Sequence, residues 1–359
     1  MSASTAQRPP AGSSPSGEAP EARSRRGAAL VQRLVVVREL GILAALVLLI
    51  GVTLIANPRF LSGQNVRDLM LSAAVLMVLA AGQTMVVITR NVDLSVGSVL
   101  GLSAYATGTL LVAHPGTPVV LAVAAGMAVG ALCGLLNGVV VAVAKVPSLV
   151  VTLGTLYAIR GLDSLWASSS DRLQINAADL PSGFKGFGSA RLLGVPVLFV
   201  IAVLVVLVIG FHLRSYRAGR ELYGIGSAPE AARLSGIPVG RRVLTAFIVN
   251  GALAGLAGVL YAARFQTLDT TAGTGLELNV VAAAVVGGVA IAGGTGSAWG
   301  AALGALLLTT IGTALPQLGL NPFWRDAAVG ALILAAIVLD RTLTLRLAAR
   351  LRGRNLRGS

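Results

Sequence analysis

LSVGSVLGLSAYATGTLLVAHPGTPVVLAVAAGMAVGALCGLLNGVVVAVA, from Leu94 to Ala144, runs for 51 residues without an Asp, Glu, Lys or Arg. As one continuous helix it would extend about 76 Å, more than twice the roughly 30 Å of a bilayer's hydrocarbon core. The turn His114-Pro115-Gly116-Thr117-Pro118 divides it into two spans. The same reading extends outward. Leu40–Ala56, Leu69–Thr89, Leu192–Leu213 and Val243–Ala263 are single runs. Leu278 to Trp324 is again uncharged and is divided by Gly293-Gly294-Thr295-Gly296. Val146–Trp166, interrupted by Arg160 and Asp163, and Phe323–Leu339 complete the set. The expectation is an all-α polytopic membrane protein of about ten transmembrane helices, some of them broken or re-entrant.

Composition agrees. Of 359 residues 55% are hydrophobic and 12% charged, half the charged share of a soluble domain. Mean hydropathy is +0.83. The 44 glycines and 14 prolines would be costly in soluble helices but are frequent in transmembrane ones. The net charge of +14 would suggest nucleic acid if the chain were soluble. Here the arginines cluster at Arg23–Arg38, Arg214–Arg242 and Arg341–Arg357, between uncharged runs, as the positive-inside rule distributes them, so no nucleic acid partner is expected. An even number of spans puts all three clusters on the cytoplasmic side, with both termini, and leaves the near-neutral loops Arg160–Arg191 and Arg264–Glu277 outside. The organisation expected is a disordered basic tail over 1–27, a membrane domain over 28–341 with a cytoplasmic loop at 214–242, and a basic tail over 342–359.

Catalytic and metal-binding patterns are missing from the sequence. The only lysines, Lys145 and Lys185, lie outside any G-x-x-x-x-G-K-[ST] phosphate loop. His114 and His212 are far apart and without zinc spacing, and the single cysteine, Cys133, reads as a small apolar core residue.

What remains is polar residues at membrane depth, which mark a pathway or a junction. Gly82-Gln83-Thr84 is followed by Thr89-Arg90-Asn91-Val92-Asp93-Leu94-Ser95-Val96-Gly97-Ser98. One reading is a tight turn in which Asp93 or Ser95 caps the next helix and Arg90 pairs with Asp93. The other is a break between half-helices whose backbone lines a cavity for a polar solute, and the two are compatible. Gly296-Ser297-Ala298-Trp299-Gly300 echoes Gly97-Ser98-Val99-Leu100-Gly101 at the start of a second apolar run, as a parallel internal repeat would. Asn137, Asn250 and Asn279 are further amides inside spans, read first as helix-to-helix hydrogen-bond formers. In the cytoplasmic loop, Ser227-Ala228-Pro229-Glu230 reads as a capping box opening a short helix that Gly236 and Pro238 end. That helix either enters a cleft of another protein or rests at the headgroups, held by arginines.

Gly82-Gln83-Thr84, Asp93–Ser98, Val151–Thr155 with Arg160-Gly161, Gly219–Tyr223, Pro229–Ile237, Ala272–Leu278 and Gly293–Ser297 together resemble the membrane permease of bacterial ABC sugar importers of the ribose, xylose and rhamnose type. The resemblance runs in family order from Glu39 to Arg341. Ile88–Asn91, Val281–Val289 and Leu308–Gly312 are more similar to rhamnose permeases, with ribose, xylose and autoinducer-2 permeases as alternatives. The resemblance implies a multi-pass inner-membrane protein without enzyme activity or cofactor of its own. Its implied partners are a second permease subunit, identical or not, surrounding lipid, an extracytoplasmic sugar-binding protein, and ATPase subunits that use ATP and Mg. By motif, Gln83, Thr84, Asp93, Ser95, Gly97, Ser98, Gly293, Gly294, Gly296 and Ser297 would shape the translocation path. Glu230, Ala231, Ala232, Arg233, Leu234 and Gly236 would form the coupling helix on the ATPase. A rival class, an ion-coupled secondary transporter, would need buried carboxylates, for which Asp93 and Glu277 are the candidates. A non-transporting scaffold fits poorly with such broken, glycine-rich spans.

Overall fold

A computed structural model describes residues 39–170, 173–336 and 338. The expected tails 1–27 and 342–359 therefore lie outside the described residues, which all belong to one compact unit, Arg38–Ser359. The chain is mostly helical. In order the helices are α1 Glu39–Ala56, α2 Gly63–Ile88, α3 Val96–Ala113, α4 Val119–Ala142, α5 Ser148–Ser169, α6 Ser182–Ser189, α7 Val197–Ser215, α8 Arg217–Ser227, α9 Pro229–Leu234, α10 Val239–Phe265, α11 Leu276–Val286, α12 Ala298–Gln317 and α13 over 324–336. Two antiparallel two-residue ladders, β1 Gln174–Ile175 with β4 Leu268–Asp269 and β2 Arg191–Leu192 with β3 Val195–Pro196, trim the loops.

Seven of these helices, α1, α2, α3, α4, α7, α10 and α12, are long and apolar enough to cross a bilayer. The other three expected spans differ. α5 carries Arg160 and Asp163 and is less apolar. α13 is described only to residue 338. α11 has 11 residues, about 16 Å of rise and half a membrane, so the apolar run from Leu278 to Ala292 does not cross as a helix. It stops because Gly288 takes φ +96, a left-handed turn open to glycine. α2 in turn starts six residues before the expected Leu69, capped by Ser62, because Gln64, Asn65, Arg67 and Asp68 extend the helix without being apolar.

The burial pattern is that of a membrane protein. Apolar side chains face outward on α1 (Leu40, Val47, Leu48, Ile55), α4 (Leu132, Leu136) and α7 (Leu204, Val208), while Gln83, Thr84, Asp93, Asn137, Asp163 and Asn250 are buried. α2 is the centre: every residue from Ala73 to Ile88 is buried. α4 and α10 cross backbone to backbone through Gly126, Gly130, Gly134 and Gly138 facing Phe247, Gly251 and Gly255. A Cβ at Gly130 would run into the Gly251 carbonyl, and one at Gly251 into the Gly130 carbonyl. This glycine-every-fourth-residue seam is how helices gain close van der Waals packing where lipid removes the hydrophobic incentive.

Candidate functional site

α2 ends at Ile88 with Thr89 as its C-cap, and Arg90 takes φ +67, which turns the chain sharply before α3. The segment between the two helices is tied on all sides. The Val92 N–H donates to Ser148 Oγ at 3.1 Å and its carbonyl accepts from Thr152 Oγ1 at 3.3 Å, both at the start of α5. Asp93 is 1% exposed. Its Oδ1 accepts from the Ser95 N–H (2.9 Å) and Ser95 Oγ (2.6 Å), and its Oδ2 accepts from Asn250 Nδ2 on α10 (3.0 Å). Ser95 Oγ accepts from Asn137 Nδ2 on α4 at 2.8 Å. The Gln83 amide, oriented to suit its neighbours, donates to the Asp93 carbonyl (3.3 Å) and accepts from the Asp93 N–H (3.1 Å). Asp93 and Ser95 thus tie α2, α3, α4 and α10 together in a buried polar node, through the Asp93 backbone and carboxylate and the Ser95 hydroxyl.

Ser95 is the N-cap residue of α3, but no side-chain cap bond forms, since its hydroxyl serves Asp93. Arg90 does not pair with Asp93. Its left-handed backbone sends the guanidinium the other way, where Nε donates to the Gly226 carbonyl and Nη2 to the Ser227 carbonyl at 2.9 Å, the C-terminal end of α8. A cation on the last carbonyls of a helix is favourable in charge and satisfies orphan acceptors.

The glycine turn after α11 meets the same place. Gly293, Gly294 and Gly296 have φ +81, +78 and +140. The Gly294 N–H donates to the Ile88 carbonyl at 2.9 Å, and Tyr223 Oη on α8 donates to the Gly296 carbonyl at 2.9 Å. Burial pushes the Tyr223 phenol up to about 12, so it stays a donor at any working pH. A Cβ on Gly226 would overlap the Ile88 carbonyl and Gly294, so three backbones meet here without side chains between them. Ser297 caps α12 by accepting from the Gly300 N–H and donates to Glu39 Oε1 at 2.7 Å. Ser98 instead lies inside α3, donating to the Ser95 carbonyl, so the echoed Gly-Ser motifs open two helices in different registers. Gly97 packs on Gly273 and Glu277.

The loop helix forms as α9, with two changes. Ser227 is the last residue of α8, its hydroxyl turned back to the Tyr223 carbonyl, and Ala228 is the N-cap, so the capping box does not form. α9 then carries Glu230 and Arg233 as an exposed pair at 3.0 Å, Ala231 beside them, Ala232 buried against the body and Leu234 90% exposed; Gly236, at φ +75, turns the chain into α10. Beneath it Glu221 sits between Arg217 and Arg242, and the Arg242 hydrogen bond holds its carboxyl below the usual range. Arg90, expected to pair with Asp93, and Tyr223, the last residue of the Gly219–Tyr223 motif, take part in this junction with Gly226, for which the sequence carries no signal.

Residues 65–337 match the family described as "Branched-chain amino acid transport system / permease component". The chain belongs to that family of ABC importer permeases. It is 38% identical over 303 residues to "Autoinducer 2 import system permease protein LsrC" of Enterobacter sp. (strain 638), covering 84% of this chain and 86% of that one. The protein of the same name from Escherichia coli (strain K12 / DH10B) is 36% identical over 315 residues, 88% and 90% of the two chains. That of Klebsiella pneumoniae is 37% identical over 311 residues, 87% and 88%. No solved structure matches. The permease is thus an integral membrane transport subunit. The expectation of rhamnose finds no support among these relatives.

Proposed function

We propose that the chain is the permease subunit of an importer for autoinducer 2 in the bacterial inner membrane, driven by ATP and Mg on partner ATPase subunits. The observation that carries the solute is the 36–38% identity, over more than four fifths of both chains, to permeases named for that import. Ten crossings, one of them completed by α11 together with the glycine turn that follows it, with both termini cytoplasmic, fit the arginine distribution. A second permease subunit and an extracytoplasmic binding protein complete the assembly. α9 is the contact with the ATPase: Leu234 and the Glu230–Arg233 pair protrude, and Gly236 sets their angle. Movement of α9 reaches the membrane through α8, whose end is held by Arg90 and by the Gly293–Gly296 turn. The Asp93 node then acts as the hinge anchor of the pathway residues Gln83, Thr84, Ser95, Gly97 and Ser98.

The test is extraction of the tagged protein in mild detergent, with uptake measured in cells carrying the full importer. A P-loop ATPase in stoichiometric amount, with ATP-dependent autoinducer-2 uptake that rhamnose does not compete, is expected. Uptake that persists without ATP and collapses with the ion gradient would replace this reading by an ion-coupled carrier.

A further inference from the structure

Asp163, on α5, is fully buried, and neither of its carboxyl oxygens has a hydrogen-bond partner among the described residues. Buried polar groups are paired almost without exception, so an orphaned carboxyl marks a group whose partner is engaged elsewhere in this conformation. That partner stands one turn away: Arg160, three residues earlier on the same helix, is at the spacing of an intrahelical ion pair. Its guanidinium is turned aside. Arg160 Nη1 donates to the Thr270 carbonyl at 3.0 Å and to the Ala272 carbonyl at 2.6 Å.

These carbonyls belong to the segment 270–275, which leads from β4 into α11. Among the described residues, the two Arg160 bonds are the only hydrogen bonds between that segment and a helix other than α11. The segment lies directly on α3. A Cβ at Gly101 would stand 2.6 Å from the Ala272 carbonyl and 3.1 Å from Arg160 Nη1, and one at Gly273 would run into the Gly97 carbonyl. Ala272 and Gly273 are buried, whereas Thr271, Thr274 and Gly275 are exposed. Arg160 therefore holds in place the chain that enters α11.

The other charged group acting on Asp163 is Asp269 of β4, whose Oδ1 already accepts from the Thr271 N–H and hydroxyl. On α3, Tyr105 bonds to Ser170 just past the end of α5. α4, also packed on α5, carries no charged residue and one thiol, Cys133. No group facing Asp163 donates to it. An ionised carboxylate without a donor is far costlier to bury than a neutral carboxyl.

We propose that Asp163 is a proton-binding site that latches the entry to α11. With the segment seated, Arg160 holds the Thr270 and Ala272 carbonyls and Asp163 keeps its proton. When the segment lifts from α3, the guanidinium turns to Asp163, the carboxyl O–H bond breaks, an ion pair forms and one proton passes to solvent. Lower pH favours the seated segment and higher pH the lifted one, because lifting releases the proton. The latch depends on no particular solute, so its failure and that of the importer reading are distinguishable.

The experiment uses the full chain in lipid vesicles and two readouts. In the infrared difference spectrum between wild type and Asp163→Asn, the C=O band of a protonated carboxyl is expected at neutral pH. Arg160→Gln, which cannot form the ion pair, should keep that band to higher pH than wild type. A difference spectrum showing a carboxylate instead overturns the proposal. The second readout is lifting. Ala272→Cys places a thiol at a position 3% exposed, and the parent chain, whose single thiol Cys133 is buried, gives the background. The rate of its reaction with a polar maleimide, divided by the rate in Ala272→Cys with Asp163→Asn, should rise by up to about tenfold per pH unit, since one proton is released and the thiol's own ionisation cancels. A ratio that stays flat with pH overturns the latch even where the infrared band is present. Loss of autoinducer-2 uptake by the wild type, with both readouts as expected, overturns the importer reading and leaves the latch standing.

Discussion

Arg90→Ala should separate ATP consumption from transport without unfolding the protein. The side chain makes two charge-assisted hydrogen bonds, to the Gly226 and Ser227 carbonyls. Bonds of this kind contribute about 1.5–3 kcal/mol each when buried, and one of these two is exposed, so about 2–4 kcal/mol is a fair total. The backbone cost is unchanged by the substitution, because Ala at φ +67 is strained as Arg is. If the two bonds are what makes the membrane break follow α8, losing them lowers the coupling free energy by that amount, roughly 30- to 800-fold in the equilibrium it biases. The assay is ATP hydrolysed per autoinducer 2 transported in proteoliposomes, beside thermal unfolding in detergent. An increase of about tenfold or more in that ratio, with unfolding temperature shifted by only a few degrees, is expected, and Arg90→Lys should be intermediate since it has no second donor in the fork. A wild-type ratio in Arg90→Ala would refute the tether.

The other predictions use different parts of the structure. Asp93→Ala orphans the Ser95 N–H and Asn250 Nδ2, at about 1–3 kcal/mol each, and should abolish assembly or uptake. Asp93→Asn should be far milder, because Asn250 Oδ1 has no partner and can accept after an amide flip; complete loss of transport with normal expression would instead mark Asp93 as an ion carrier. Gly130→Val should lower yield and unfolding temperature sharply by forcing α4 from α10, whereas Gly154→Ala, with nothing within 4 Å, should be neutral. Glu221 is depressed in the folded state from an ordinary 4.5, so its contribution is complete above about pH 4.5 and is lost as pH falls through the lower folded value. Glu221→Gln should therefore remove part of the acid-limb destabilisation in detergent and leave neutral-pH stability lower. An unchanged acid limb would exclude the Arg217–Glu221–Arg242 cluster as its source.

Hydropathy read the positions of the helices well and their ends poorly, for a physical reason. A sum over side chains counts apolar residues and ignores backbone conformation, so Leu278–Ala292 read as a span although Gly288 breaks it. It also ignores polar residues that still propagate a helix, so α2 was read short. Local rules failed where tertiary contact was stronger: Ser227 obeyed the continuing α8, and Arg90 bypassed Asp93 three residues away for a carbonyl pair across 136 and 137 residues. Asn137 and Asn250 did bridge helices as read. The Gly126–Gly138 seam stands in the sequence at a spacing of four among 44 glycines; its signal is the periodicity, not the composition.

Among the long helices of the bundle, α11 is the short apolar one. α11 leads into the glycine turn that α8 grips through Tyr223 and that Ile88 holds at Gly294. α11 has about 16 Å of helix rise, so in the proposed importer it would pass a displacement of that turn along its axis as one body. Gly287, Gly300 and Gly304 bring α11 and α12 into backbone contact. α2, buried on every face and fixed to α10 and α3 by the Asp93 node, is the natural stator. Under the proposed coupling, force applied at α9 passes through α8 to the Gly293–Gly296 turn and so to α11.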